Sequence, residues 1–422
     1  MPPPLTPTAT RRPGGAGPSL VATAPGWGWP ARLQSPLAGY YLVLGSTLAL
    51  VGIGLVMVLS SSSVESLRQL NSSYTIFARQ AMFAALGLPL AVVAAWLPTR
   101  AWKLLAWPLL LVGVLALLLV LVAGVRVQGN KNWIVVGGLT LQPSEAAKLA
   151  LVVWVAAVLE RKRPLFGTAL HAIVPVVPVA FVLLALVVAG HDLGTALVLL
   201  GLVAALMFTA GVPLRVFAVG GTLAGLAVFL LVTTSANRMA RIAAWTAGGS
   251  GDPQGMNWQS LHALWGLASG GWWGLGLGES RQKWFWLPEA NNDFIFAIIG
   301  EELGLVGALA VLALYALLAF GLYRVVLAAD DVFVKIATGG VLAWVVGQAL
   351  INIGTVVGLL PVIGVPLPLV STGGSALVTT LVALGMVLGF ARRVPGAAQA
   401  LAARPSVVAR SLAVLPHRRG PA

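Results

Sequence analysis

"LLAWPLLLVGVLALLLVLVAGV" runs from Leu104 to Val125 without one ionisable side chain. A helix rises ~1.5 Å per residue, so a run this long crosses a ~30 Å hydrocarbon layer. Comparable runs lie at 40–60, 80–98, 142–159, 172–190, 194–210, 212–233, 294–322, 336–357 and 374–391, of which 194–210 is marginal. Backbone polar groups inside a bilayer must be satisfied within the protein, so these ten runs predict helices; alternating segments suited to a barrel are not found. The expected fold is an all-α polytopic integral membrane protein of about ten transmembrane helices.

Composition agrees. Apolar residues make up 59% of the 422 and charged ones 9%, against roughly 25% charged in a soluble domain. The net charge of +14 is distributed as the positive-inside rule requires if the N-terminus is cytoplasmic: 17 of the 26 Lys and Arg then fall on the cytoplasmic side, 8 on the other, and Lys148 within a span. The basic excess orients the chain and favours anionic lipid; no aromatic-interleaved basic patch argues for nucleic acid. Residues 1–39, rich in Pro, Gly and Ala, and 392–422, rich in Pro and Arg, are expected to be disordered cytoplasmic tails flanking a 40–391 membrane domain. The chain has no cysteine, which removes disulfides, thiol nucleophiles and thiolate metal sites.

Most connections are short. Residues 234–293 are not, and the charge count places them outside, between the seventh and eighth helices; a long loop in a compact bundle is usually functional. Within it Leu261, Leu264, Trp265 and Ala268 recur at helical spacing, which suits an amphipathic helix at the interface. Gly270, Gly271, Gly274, Gly276 and Gly278 follow, then Arg281 and Lys283. They form either an anion-binding turn or a flexible hinge.

The loop ends in "LPEANNDFIFAIIGEELG", Leu287–Gly304, which gathers Glu289, Asp293, Glu301 and Glu302 in a chain of only 12 acids. Ionisable groups in a bilayer are costly and mark functional positions. Asp293 stands at the outer mouth of the eighth helix, either as a reactive carboxylate or as that helix's N-cap. Glu301 and Glu302, about 12 Å below it on a continuous helix, are expected to line a wet cavity or to pair with Lys148 or an arginine. Glu145 and Lys148, three apart, share a helix face; Glu145 near a start marked by Pro143 also complements the helix dipole. Asp192 in "GHDLGTA" reads as a cap for the sixth helix. Gln348 and Asn352, one turn apart, are expected to hydrogen-bond between helices.

Four blocks in order, "GNKNWIVVGGLTLQPSEAAKLA" (129–150), "HDLGTA" (191–196), "SGGWWGLGLGESRQKWFWLPEANNDFIFAIIGEELG" (269–304) and "GLLPVIGVPLPLVSTGGSA" (358–376), resemble the SEDS family of shape, elongation, division and sporulation proteins. The resemblance covers about residues 40–391, and "IIGEELGLVGAL" and "GLVMVLSSSSVES" look more like its division branch than its elongation branch. The sequence departs from the family pattern at Lys131–Asn132, Asn291–Asn292, Thr372 and Ala376.

The family polymerises peptidoglycan in the bacterial plasma membrane. The resemblance therefore implies lipid II as substrate, Asp293 as catalytic residue, and substrate contacts at Lys131, Trp133, Glu145, Lys148, Arg241, Arg281, Lys283, Glu301, Glu302, Ser371, Gly373, Gly374 and Ser375. It also implies inversion at the donor sugar, a divalent cation (Mg²⁺ or Mn²⁺), and a class B penicillin-binding protein and division proteins as partners. A lipid II flippase would instead show paired broken helices near the midplane. A non-catalytic division scaffold would have no need of intramembrane charge.

Overall fold

The computed structural model describes residues 35–127, 130–166, 170–246, 257–397 and 400. The chain falls into two units, Met1–Ser35 and Pro36–Ala422; the architecture below is that of the second. Most of the two expected tails lies outside the described residues. At their inner ends Leu37, Val394 and Ala397 pack together.

Helices α1 (Ala38–Leu70), α2 (Thr75–Trp96) and α3 (Thr99–Ala123) open the bundle. Strands β1 (Val125–Val127), β2 (Asn130–Val136) and β3 (Leu139–Leu141) follow as an antiparallel sheet in the order β1-β2-β3. The purely helical expectation missed this sheet: β2 and β3 turn at Gly137–Gly138, both at positive φ, the geometry of a tight hairpin. Helices α4 (Pro143–Lys162), α5 (Leu170–Ala189), α6 (Leu193–Thr209), α7 (Leu214–Thr233) and α8 (Ala236–Thr246) come next, then α9 (Trp258–Gly270), α10 (Ile295–Ala328), α11 (Val332–Val356) and α12 (Gly374–Ala391).

Eight described helices are long and apolar enough to cross a membrane. The other two expected spans fall on α4, which carries charge, and on α6, which has 17 residues. α4 is buried on almost every face, as is α11, whereas α7 buries no side chain. Local signals set the ends. Pro143 opens α4, Asp192 caps α6 by accepting from Thr195 N (2.9 Å), and Asp331 caps α11 by accepting from Phe333 N (2.8 Å).

Within the long loop α9 forms where the helical spacing placed it: it turns His262, Ala263, Gly266 and Gly270 inward and leaves Leu264 and Trp265 exposed; small residues let it lie close against α10, and the large apolar ones face outward, where Trp suits a lipid interface. The eighth expected span differs. α10 is not continuous. Gly304, at φ 68° and ψ −167°, splits it into 295–303 and 305–328.

Candidate active site

α1 runs antiparallel to α10, with Gly39 against Gly321 and Val325 at one end and Ser60 against Glu302 further along. The rise from Gly39 to Ser60 is roughly 30 Å, one hydrocarbon thickness. Glu301 and Glu302 therefore sit at the edge of the apolar layer, and Asp293 lies beyond it, at the end opposite the termini.

Asp293 is half-buried and does not cap α10: the N-cap position is Phe294, and no side chain caps that end. Its backbone is held firmly. Asn352 Nδ2 donates to Asp293 O and to Val365 O, both at 2.7 Å. Ser371 Oγ donates to Asn292 O (2.6 Å) while accepting from Leu367 N (2.8 Å), and Thr372 donates to Asn291 O through both N and Oγ1. The side chain is held by no hydrogen bond or ion pair among the described residues; its Oδ2 faces Gly364, 3.5 Å from where a β-carbon would sit. Burial raises its pKa from 3.8 to about 7, with Glu289 and Asp192 adding to the rise and Arg241 opposing it. A carboxylate poised near neutrality has the basicity that proton abstraction needs.

Glu301 and Glu302 are the opposite case. Glu301 accepts from Ser280 Oγ (2.5 Å), Arg281 N (3.0 Å) and Gln282 N (3.4 Å). Glu302 accepts from Ser60 Oγ with both oxygens (2.6 Å each) and from Ser280 N (3.3 Å), and pairs with Lys283 Nζ at 3.5 Å. The expected partners, Lys148 or an arginine side chain, are replaced by hydroxyls, loop N–H groups and Lys283, and the two carboxylates are fully buried rather than lining a wet cavity. The break at Gly304 is the physical reason, since it admits the 271–283 loop beside them.

Glu145 and Lys148 form a buried ion pair at 2.8 Å, three residues apart as their spacing predicts. Lys148 also donates to Gln348 Oε1 (2.9 Å) and lies 5.0 Å from the Trp344 ring centre. Gln348 Nε2 in turn donates to Pro366 O (2.9 Å). Gln348 thus joins helices as expected, whereas Asn352 holds the backbone carbonyls of Val365 and Asp293. The Glu145–Lys148 pair reaches the site through that relay.

The remaining implicated residues divide. Arg241 is brought to the site: it acts on Asp293 and donates to Val362 O (3.3 Å). Lys131 Nζ instead donates to Leu121 O (2.6 Å) and Val122 O (3.2 Å), a cation on the C-terminal turn of α3, and Trp133 pairs with Val125 in the sheet. Lys283 is buried against Glu302, and Arg281 is exposed. Ser375 accepts from Gln142 N (3.0 Å), Gly373 N donates to Gln80 (3.2 Å), and Gly374 starts α12 against Phe83.

Sequence reasoning missed Ser60 and Gly364 as members of these clusters; it named Glu289 among the gathered acids and Asn352 as a hydrogen-bonding residue, without placing Asn352 on the Asp293 backbone. Asp192 is the expected cap, and it also accepts from Asn132 (2.8 Å) and Gln142 (3.2 Å). Ser60 and Gly364 lie in quoted stretches, but neither carried a signal of its role. Among the described residues no three His, Asp or Glu side chains converge as a metal site.

Fold and site define a polytopic membrane protein with a near-neutral carboxylate, unpaired among the described residues, just before a broken helix. The chain belongs to the FtsW/RodA/SpoVE family of cell cycle proteins, whose model matches residues 41–394. It is 38% identical over 375 residues to the probable peptidoglycan glycosyltransferase FtsW of Mycobacterium tuberculosis, spanning 88% of this chain and 71% of that one. Stage V sporulation protein E of Bacillus subtilis is 36% identical over 349 residues, spanning 82% and 95%. The solved rod shape determining protein RodA of Thermus thermophilus superposes with a TM-score of 0.61 at 29% identity, covering 84% of this chain and 97% of that one. A chain from a peptidoglycan synthase complex that coordinates polymerization and crosslinking gives 0.68 at 30%, covering 83% and 97%.

Proposed function

We propose that this protein is a peptidoglycan glycosyltransferase that polymerises lipid II into glycan strands, with Asp293 as general base. The observation that carries this is the Asp293 carboxylate itself, rigidly placed by Asn352 and Ser371 yet without a hydrogen-bond partner among the described residues, and shifted to about 7. In the reaction Asp293 takes the proton of the acceptor 4-hydroxyl as its oxygen bonds to the anomeric carbon of the donor. The bond from that carbon to the pyrophosphate oxygen breaks from the opposite face, the undecaprenyl pyrophosphate leaves with the electron pair, and the configuration inverts. Arg241 is the cation best placed to attract the phosphates electrostatically.

The charge asymmetry supports cytoplasmic termini and an extracytoplasmic Asp293. The likeness to the synthase complex supports a crosslinking partner of the class B penicillin-binding type. A flippase is disfavoured, because the break at Gly304 lies at the edge of the apolar layer and not among paired midplane breaks.

The test is gel-resolved polymerisation of labelled lipid II by the purified protein and its folded Asp293→Asn variant. Loss of glycan product is expected; wild-type turnover by the variant removes Asp293 from the chemistry.

A further inference from the structure

Breaking α10 at Gly304 leaves orphan carbonyls above and orphan N–H groups below, as any helix terminus does. The loop 271–276 satisfies both sets. Leu275 N and Gly276 N donate to Glu301 O and Glu302 O at 3.0 Å, while Leu305 N and Val306 N donate to Gly271 O (2.9 Å) and Trp272 O (3.3 Å). The contact is tight enough to demand glycine on both sides. A β-carbon on Gly274, at φ +81°, would lie 2.1 Å from Glu302 O, and one on Gly304, at φ +68°, would lie 2.4 Å from Gly274 N.

The upper half-helix 295–303, which Asp293 precedes by two residues, is thus not held to the spanning half by helical continuity. Its lower end is held by the loop and by Ser60 of α1, whose single hydroxyl proton is shared between the two Glu302 oxygens at 2.6 Å each; above it, Asn291 Nδ2 donates to Glu65 of α1 (3.0 Å). That carboxylate is buried and also engaged by Lys283.

We propose that Glu302, clasped by Ser60 and Lys283, is a positioning residue for the transfer reaction: it locks the lower end of the upper half of the broken α10 to α1 and, together with the bonds that Asn352, Ser371 and Thr372 make to the 291–293 backbone, sets the height and tilt of the Asp293 carboxylate over the membrane. The proposal rests on the reading of Asp293 as the base. A lever pivoting at Gly304 turns a small slip at Glu302 into a displacement at Asp293, and a misplacement of about 1 Å can cost a hundredfold in rate.

The experiment compares Ser60→Ala, Ser60→Thr and Glu302→Gln in full-length protein, measuring kcat and KM for lipid II per folded molecule well below the unfolding midpoint. Ser60→Ala should lower kcat about tenfold or more with KM within about twofold, Ser60→Thr should restore much of it by keeping the hydroxyl, and Glu302→Gln should fall between. Wild-type kcat in Ser60→Ala, or a loss matched by the folded fraction alone, overturns the proposal; if Glu302→Gln does not fold, the Ser60 pair decides. Asp293→Asn run alongside separates the two readings: inactive Asp293→Asn with fully active Ser60→Ala sinks only the positioning role, whereas active Asp293→Asn sinks the base itself.

Discussion

Two carboxylate sites on one helix end have been given opposite surroundings. At Glu301 and Glu302 the carboxylates are fully buried, and donors surround them: two serine hydroxyls, three loop N–H groups and an ammonium. At Asp293 the side chain keeps partial exposure, its backbone takes the hydrogen bond, and the nearest charges include two further carboxylates. The difference teaches that burial alone does not create a reactive acid. A buried carboxylate ringed by donors is tied into the structure, whereas desolvation without such donors raises a carboxylate's pKa.

The sharpest way to break this contrast is to neutralise each site. Asp293→Asn should lower lipid II turnover by about 10²–10⁴-fold, the usual weight of a general base, without lowering the unfolding midpoint. Glu302→Ala should strike stability as well as turnover: by stranding the buried Lys283 ammonium it should cost about 3–5 kcal/mol of stability, read by denaturant or thermal unfolding in detergent, beside the loss of kcat expected from its positioning role. Equal stability losses at the two sites would show that Asp293 is structural after all.

The pH dependence of stability gives a smaller signal of defined sign. Because the folded state raises the Asp293 pKa from 3.8 to about 7, the folded protein holds the extra proton between those values, and this group's contribution to stability falls as pH rises through that window. Asp293→Asn should therefore be more stable than wild type at pH 8 and no more stable at pH 4. The smallest effect concerns the neighbours. Wild-type kcat/KM should rise with pH through about 7 and level off above it. Glu289→Gln should move that limb down by a fraction of a pH unit and Arg241→Ala should move it up; shifts in the opposite directions would mean that another group controls the limb.

Much of this was legible before folding. The apolar runs located the helices, Asp192 read correctly as the α6 cap, and the three-residue spacing of Glu145 and Lys148 foretold their ion pair. Gly304 was not legible as a break, because a lone glycine in an apolar run costs only about 1 kcal/mol in a helix and the hydrogen bonds that compensate it come from the loop at 271–276. Lys131 and Lys283 were both implied as substrate contacts, yet one caps α3 and the other is buried against Glu302. Nor could charge spacing reveal that a small sheet occupies the connection from α3 to α4.

By itself the sequence determined that the chain lives in a bilayer, roughly where its helices run, and that its scarce acids mark a site, since apolar length and the obligation to satisfy backbone groups act locally. Only the tertiary structure decided which of those acids is surrounded by donors and which is not. A carboxylate's basicity depends on donors brought to it from elsewhere: Ser60 reaches Glu302 across 242 residues, and no such donor reaches the side chain of Asp293 among the described residues.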